Sequence, residues 1–483
     1  MLAERLAERL DRDAGIPLGR QIYGEIRRLI LEGALKSSQR LPASRALAGE
    51  LGVGRNTVID AYAQLTAEGY LQGRVGSGSY VAATGPDLRP ELGARVVGAR
   101  RRSPAALSRR GEAVLREPGL AERGAFAACA PDPGMFPFAQ WQRLLGRGWR
   151  MLRERDAHYA TPGGHPELRA AIADYLALAR GVRCEATQVV IVAGAQHGLD
   201  LCARLLADAG DRVWVEDPGY PGARRVFHAA NLELVPIPVD AQGMAPAAAQ
   251  WRKPPRLVYI TPSHQFPTGV VMTLERRRAL LEAASRHGSW IVEDDYDGEF
   301  RYSGRPLAAL QGIDAADRVV YVGTFSKALF PGLRLGYLVV PAALQERFAL
   351  AAARLSFEGR QVTQGALAAF IREGYFAAHV RRMRSIYAVR REVLADTWRR
   401  ELGGYAPLEG AEAGLHVVAR LPRGRDRAVS AAAERAGIVA QSLHSLYLGR
   451  ADRSGLVLGY GTVHEREIRR QGANLARLVA RLR

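Results

Sequence analysis

Five short runs of β-branched and aromatic residues constrain this chain more than any other feature: VVIVAG from 189, DRVWVEDP from 211, RLVYITP from 256, WIVEDDY from 290 and RVVYVGTFSK from 318. Each ends in a Gly, Pro or acidic loop, and helical patterns separate them. Strand, loop and helix in repetition predict a mostly parallel α/β sheet beginning near residue 121. The later part of the chain mixes long Arg-rich helices with two more strand candidates, GLHVVARL at 414 and GLVLGYG at 455, and predicts a smaller C-terminal α+β lobe. With 48% hydrophobic residues, a disordered or fibrous chain is excluded.

The charge balance, 68 basic against 49 acidic residues, gives +19 and favours polyanions or phosphorylated ligands. Only three of the cations are lysines, Lys36, Lys253 and Lys327. A lysine kept against so strong a preference for arginine is a candidate for chemistry that arginine cannot do, since a desolvated amine can lose its proton and become a nucleophile. Three cysteines, Cys129, Cys184 and Cys202, have no C-x-x-C spacing, so neither a disulfide framework nor a metal site is expected. No apolar run approaches a membrane span, and the first residues, MLAERLAERLDRD, lack the apolar core of a secretion signal. The expectation is a cytoplasmic protein without a membrane partner.

Residues 1–82 read as short helices followed by a Gly-rich hairpin. Ile22, Ile26, Leu29 and Ile30 fall at helical spacing before Gly33. In RLPASRALAGELGVGRNTVIDAYAQL, Ser44 starts a helix, Gly52 to Gly54 turn the chain, and Asn56 or Thr57 starts a second helix. Two short helices joined by a Gly-bearing turn form a helix-turn-helix whose second helix suits the major groove. GYLQGRVGSGSYV then supplies a wing. Arg45, Arg55, Asn56 and Thr57 stand near helix starts, where donors converge on phosphates or base edges, and Arg74 with the slim Gly76 can approach a minor groove. Residues 1–85 hold 11 basic and 9 acidic residues, so pattern rather than bulk charge carries this reading. Residues 83–120, with Pro86, Pro90, Pro104, Pro118 and Arg100 to Arg102, read as a basic linker, leaving 121–483 as the large domain.

Within that domain TFSKALFPGLRLG carries the most chemistry. A strand ending at Gly323 delivers Lys327 to a loop turned by Pro331 and Gly332. Catalysis by pyridoxal phosphate needs an amine that condenses with the aldehyde, and Thr324, Ser326 and Arg334 supply donors for a phosphate dianion. In SWIVEDDYDGEF, period two sets Val292, Asp294 and Tyr296 on one face and Ile291, Glu293 and Asp295 on the other. Asp294 beside a pyridine nitrogen would keep it protonated, and Tyr296 can bond the ring oxygen. The helix opened by AGAQHGLDL presents the N–H groups of Ala195 and Gln196 to a phosphate, and Tyr220 in EDPGYPGARR offers an aromatic face to stack on a ring.

Two resemblances rest on these motifs. Residues 16–82, through R-L-P-A-S-R, L-A-x-x-L-G-V, R-N-T-V and G-Y-L, resemble the winged helix-turn-helix of GntR-type repressors, with Gly54 standing where relatives often carry Ser or Thr. This implies that Arg45, Arg55, Asn56, Thr57, Arg74 and Gly76 touch operator DNA. Residues from about 125 to 483, through Y-x-x-x-x-G-H-P-E-L-R, G-A-Q-H-G-L-D, E-D-P-G-Y-P-G, E-D-D-Y-D and S-K-x-x-x-P-G-L-R-L-G, resemble the class I aminotransferase fold of pyridoxal-phosphate enzymes, their fold type I. That likeness implies Lys327 as the covalent anchor, Asp294, Tyr296 and Tyr220 around the ring, and Ala195, Gln196, Thr324, Ser326 and Arg334 on the phosphate. It also implies that Tyr159 reaches the phosphate held by a neighbouring subunit, hence a homodimer.

Two departures bear on function. The enzymes' N-P-T-G is here Phe266-Pro267-Thr268-Gly269, so the amide that usually meets the ring oxygen is missing, with His264 and Gln265 as substitutes. The enzymes' C-terminal arginine, which grips a substrate carboxylate, is replaced by Val457, with Arg450 and Arg453 nearby. A GntR-type reader fused to an aminotransferase-like body resembles the MocR/GabR family of regulators. The resemblance implies a DNA-binding transcription factor that senses pyridoxal phosphate, an amino acid or an amine. The competing expectation is a working aminotransferase with an appended DNA-binding domain.

Overall fold

The structure, a computed structural model, describes residues 2–74, 77–82, 107–121, 123–153, 161–302, 308–356 and 360–482. Two compact units divide the chain, Met1–Ala105 and Ala106–Arg483.

The first unit is built on α1 (Leu2–Ala7), α2 (Leu18–Leu31), α3 (Ser44–Leu51) and α4 (Arg55–Ala67), closed by the antiparallel hairpin β1 (Leu71–Arg74) and β2 (Gly78–Val81). Of the set the helical spacing marks, Ile22, Ile26 and Leu29 of α2 are in the core, with Ile30 only partly buried at its edge; they pack with Leu47, Leu51, Val58 and Leu65, joined by Leu6 of α1. Each such side chain contributes roughly 1.5–3 kcal/mol on burial. Gly52 ends α3 at φ +62°, a left-handed conformation that suits glycine, and its N–H returns to the Ala48 and Gly49 carbonyls. The Tyr62 hydroxyl donates to the Pro42 carbonyl at 3.0 Å, fixing α4 against the entry to α3. This is a winged helix-turn-helix.

Of the expected linker, residues 83–106 lie outside the described residues, and the rest is not a free connector. Ser108 caps α5 (Arg109–Arg116) through the Gly111 N–H at 3.1 Å. Glu117 and Pro118 then find partners in the second unit, in Arg224 and Arg225. A count of prolines and arginines is blind to a buried ion pair formed with a residue so distant in sequence. After α5 come α6 (Phe138–Met151) and α7 (Pro166–Arg180).

The second unit holds an eight-stranded sheet. Its strands are β3 (Val189–Val192), β4 (Arg212–Asp217), β5 (Glu233–Asp240), β6 (Gly243–Met244), β7 (Leu257–Ile260), β8 (Trp290–Asp295), β9 (Val319–Thr324) and β10 (Gly336–Val339), in the order β3-β10-β9-β8-β7-β4-β5-β6. β9, β8, β7, β4 and β5 are mutually parallel, as expected. β10 runs antiparallel to both of its neighbours, and β6 to β5. The five runs read from the sequence are β3, β4, β7, β8 and β9; β5 escapes that reading because Pro236 and Pro238 interrupt it. Except for β5, whose residues are mostly half-buried or exposed, the strands are buried along nearly their whole length, and α8 (Ala195–Leu206), α9 (Pro221–Ala229), α10 (Leu274–His287) and α11 (Phe325–Ala328) follow strands of the sheet. In open α/β sheets ligands sit beyond the carboxyl ends of the strands, and Asp294, Lys327 and Tyr220 lie there.

Three helices, α12 (Gln345–Ser356), α13 (Gln361–Arg372) and α14 (Tyr375–Leu402), lead into the C-terminal lobe. There β11 (Leu408–Glu409), β12 (His416–Arg420), β13 (Gln441–Ser442) and β14 (Gly455–Gly459) form an antiparallel sheet in the order β11-β12-β14-β13, with α15 (Asp426–Arg435) and α16 (Glu465–Arg481). Val417, Ala419, Leu456 and Leu458 pack with Leu394 and Trp398 of α14 and Leu475 of α16. The opposite strand face, with Val418 and Val457, joins a cluster that reaches Tyr220 and Tyr296. No helix among the described residues is long and apolar enough to cross a membrane.

Candidate functional site

Lys327 is half-buried in α11, directly after the fully buried β9. The Thr324 Oγ1 accepts the Ser326 N–H at 3.2 Å and so starts the short helix that carries the lysine. Beyond Pro331–Leu333 the chain reverses at Arg334, φ +51°, and enters β10. Glycines let three strand ends close on one another: a Cβ on Gly336 would stand 2.8 Å from the Gly323 carbonyl and 2.9 Å from the Gly194 Cα. The Lys327 loop is thereby drawn against the start of α8. Gly194, at φ +88°, precedes that helix without a side-chain cap, leaving the first N–H groups, those of Ala195 and Gln196, without intrahelical acceptors. The Arg334 guanidinium lies about 4.0 Å from where a Gly194 Cβ would be. A helix N-terminus beside a guanidinium is an anion site.

Asp294, the penultimate residue of β8, is buried. Its Oδ2 accepts the Tyr259 hydroxyl at 2.8 Å, while Oδ1, equally buried, has no partner among the described residues. Burial raises this carboxyl to about 7, against the opposing pull of Tyr259 and Lys327. The other strand face is structural, as period two requires. Asp295 takes Arg180 Nε at 2.6 Å and the Tyr321 hydroxyl at 2.5 Å, and Glu293 accepts the Leu310 and Gln311 N–H groups. Tyr259 is a participant the sequence reading missed; its signal is its place in RLVYITP on the strand beside β8.

Of the two substitutes expected for the missing amide, His264 is the one placed beside Tyr296. His264 Nδ1 lies 3.0 Å from the Tyr296 hydroxyl and 2.9 Å from Asp297 Oδ2. Gln265 is committed elsewhere: its amide donates to the Pro218 carbonyl and its oxygen accepts from Thr268. On the opposite side, the Gln196 amide donates to the Tyr220 hydroxyl at 3.2 Å. Gly222 makes this possible, since a Cβ there would lie 2.3 Å from Tyr220 Cζ and 2.6 Å from Gln196 Nε2.

The wall toward the lobe holds Cys129, whose Sγ is 3.2 Å from His416 Nδ1, and His416 Nε2 donates to the Pro267 carbonyl at 2.9 Å. The lysine is close enough to act electrostatically on Asp294, Cys129 and His416 together. Val457 is fully buried in this wall. Arg450 is exposed, and Arg453 lines a cleft with Arg420 and Asp452, so neither replaces the missing arginine within the wall.

These residues fit pyridoxal phosphate. The orphaned Asp294 Oδ1 suits a buried N–H, the α8 N-terminus with Arg334 suits a phosphate, and Lys327 is close enough to Asp294 to act on it electrostatically. Tyr159 lies outside the described residues.

In the first unit Arg45 is exposed on the first turn of α3, and Arg55 and Asn56 are exposed at the start of α4, which begins at Arg55 rather than Asn56 or Thr57. Thr57 is half-buried, its methyl near Gly19 of α2. Gly54 occupies the cap position of α4 and offers no side-chain cap. Arg74 is exposed on the wing and stacks on the Tyr80 ring at 4.7 Å. Gly76 lies outside the described residues.

Comparison with known proteins matches residues 149–455 to aminotransferase class I and II, and residues 18–81 to bacterial regulatory proteins of the gntR family. The probable rhizopine catabolism regulatory protein MocR of Rhizobium meliloti is 43% identical over 472 residues, covering 97% of this chain and 94% of that protein. The HTH-type pyridoxine biosynthesis transcriptional regulator PdxR of Corynebacterium glutamicum is 33% identical, covering 93% of each chain. Among solved structures, the multiple substrate aminotransferase from Thermococcus profundus superposes with a TM-score of 0.68 at 26% identity, covering 78% of this chain and 96% of that one.

Proposed function

Because the chain belongs to the MocR-type transcriptional regulators, DNA-binding proteins that join a GntR-type head to a pyridoxal-phosphate-binding aminotransferase body, we propose that its body senses the cofactor or an amino compound and thereby changes the head's grip on an operator. One observation carries the reading: a chain with a full set of groups for the cofactor also presents Arg55 and Asn56, exposed, at the start of a reading helix.

When bound, the cofactor supplies an aldehyde that takes up amines and a ring that draws electrons. The protein's part is to hold and orient it. Lys327 anchors it covalently, Asp294 Oδ1 receives the ring N–H, and Tyr259 keeps that carboxylate turned toward it. Tyr296, positioned by His264, meets the ring oxygen, while Tyr220 covers the ring face. Ala195, Gln196, Thr324, Ser326 and Arg334 bind the phosphate. We assign Tyr159 to the phosphate of a second copy, so the working unit is a homodimer. The exposed Trp149 and Met151 at the end of α6 support a covering partner. The protein works in the cytoplasm, with the DNA it controls.

Coupling follows from linkage: a ligand that favours one arrangement of the body shifts operator affinity by its differential binding energy. A typical coupling of about 1–3 kcal/mol changes affinity by roughly 5- to 150-fold. The test mixes purified, cofactor-loaded protein with a panel of amino donors and a keto acid, and records product and operator affinity together. Ligand-dependent operator affinity without sustained product supports the sensor. Multiple turnover with ligand-independent DNA binding overturns it in favour of an aminotransferase with an appended DNA-binding domain.

A further inference from the structure

The wall of the cofactor pocket toward the small lobe is built from neutral groups. β14 pairs Val457 with Val418 of β12, and both lie in one apolar cluster with Ala128, Cys129, Phe266, Leu443 and Leu446, against which Tyr220 and Tyr296 pack. The polar members of this wall are Cys129 and His416. The Pro267 carbonyl can only accept, so His416 Nε2 carries the proton and Nδ1 is left to accept from the thiol. Burial pushes the Cys129 thiol up and the His416 imidazole down to about 3, so both are uncharged near neutral pH. Besides Lys327, the charged group that acts on both Cys129 and His416 is an acid, Asp297, which acts on Asp294 as well. Arg420 and Arg453 line a cleft that shares Val418 and Leu443 with this wall and already holds acids: Arg420 pairs with Glu409, and Arg453 stands with Asp452.

We propose that the effector admitted beside Lys327 is a primary amine carrying no carboxylate. The proposal rests on the sensor reading above and names its ligand class. A carboxylate brought against this wall would leave water for an aliphatic side chain, a thiol and a neutral imidazole, with Asp297 repelling it, and an unpaired buried charge is strongly disfavoured. An ammonium meets the opposite situation, because the acid of the pocket attracts it.

The experiment uses the full-length, cofactor-loaded protein and matched probes differing only in the carboxylate: phenethylamine with phenylalanine, putrescine with ornithine, ethanolamine with serine. Binding is read by calorimetry and by the absorbance of the bound cofactor, and operator affinity is measured in parallel. At least one amine is expected to bind, and in each pair that binds the amine should do so roughly 100-fold more tightly than its acid. An acid that matches or outcompetes its amine overturns the proposal. So does failure of every amine to bind while operator affinity still responds to the cofactor, a result that leaves the sensor reading standing. Operator affinity indifferent to the cofactor and to all six probes removes both. Val457→Arg is expected to narrow the gap within each pair; should that variant not fold, the comparison on the native protein decides alone.

Discussion

Glu117 and Arg224 form an ion pair buried on both sides, with Arg224 Nε 2.8 Å from Glu117 Oε2 and side-chain exposures of 2% and 8%. The same guanidinium donates to the Leu446 carbonyl at 2.8 Å, and His228 Nε2 stands 3.4 Å from the other Glu117 oxygen. One arginine on α9 thus joins the residue just after α5 to the loop before β14. Tyr220, one turn earlier, caps the same helix at the cofactor pocket.

Removing the acid should therefore be costly. Glu117→Ala leaves the Arg224 charge buried with only the Leu446 carbonyl to accept from it, and breaking a buried pair on one side costs about 3–5 kcal/mol. The expected outcome is a fall of several degrees in the melting temperature of the second unit and faster proteolysis between residues 107 and 121. A melting temperature unchanged within error would mean that the pair contributes nothing to the docking of α5.

Lys327→Ala should abolish covalent attachment of pyridoxal phosphate while the protein stays folded, because the lysine is only half-buried and packs no core. Borohydride reduction followed by peptide mass analysis should find the modified residue in the native protein and none in the variant. An adduct at Lys36 or Lys253 in the variant would show that the anchor has been assigned to the wrong amine.

The cofactor pocket is largely legible in the sequence because its chemistry is local. Period two along EDDYD separates Asp294 and Tyr296 from Glu293 and Asp295, and the folded protein gives each set its own partners. The contacts that escape are those between residues far apart in the chain. Glu117 and Arg224 are separated by 107 positions, Cys129 and His416 by 287, and no periodicity or spacing links them. β10 escapes for another reason: its direction depends on three glycines meeting at the ends of β3, β9 and β10, a close approach set by tertiary packing.

Arg55 is exposed at the first position of α4, so its replacement should disturb neither the head's core nor the cofactor. Arg55→Ala is expected to weaken operator binding by about 1–3 kcal/mol if the arginine reads a base, and to lower the slope of affinity against salt by about one unit if it meets a phosphate. The two are separated by titrating operator and unrelated DNA at several salt concentrations. Identical affinity and slope in variant and native protein would remove Arg55 from the interface.

Asp294 gives a dependence on pH whose sign is fixed by its burial. Its carboxyl is raised from 3.8 to about 7 in the folded, cofactor-free protein. Between those values the folded state holds the proton while the unfolded state has released it, so stability falls as pH rises through this window. Glu216, Glu293 and Glu299, also raised to about 7 by burial, act in the same direction. Asp294→Asn removes one of these four contributions and keeps an oxygen for the Tyr259 hydroxyl. The cofactor-free variant should match the native protein near about pH 4 and exceed it near about pH 8, with each unit of displaced pKa worth about 1.4 kcal/mol at most. With cofactor present the order should reverse, because an amide cannot neutralise a protonated ring nitrogen, and the variant should lose cofactor faster on dialysis. Thermal melts of both proteins across this range decide the matter: a difference that does not vary with pH would mean that Asp294 is already ionised in the empty pocket.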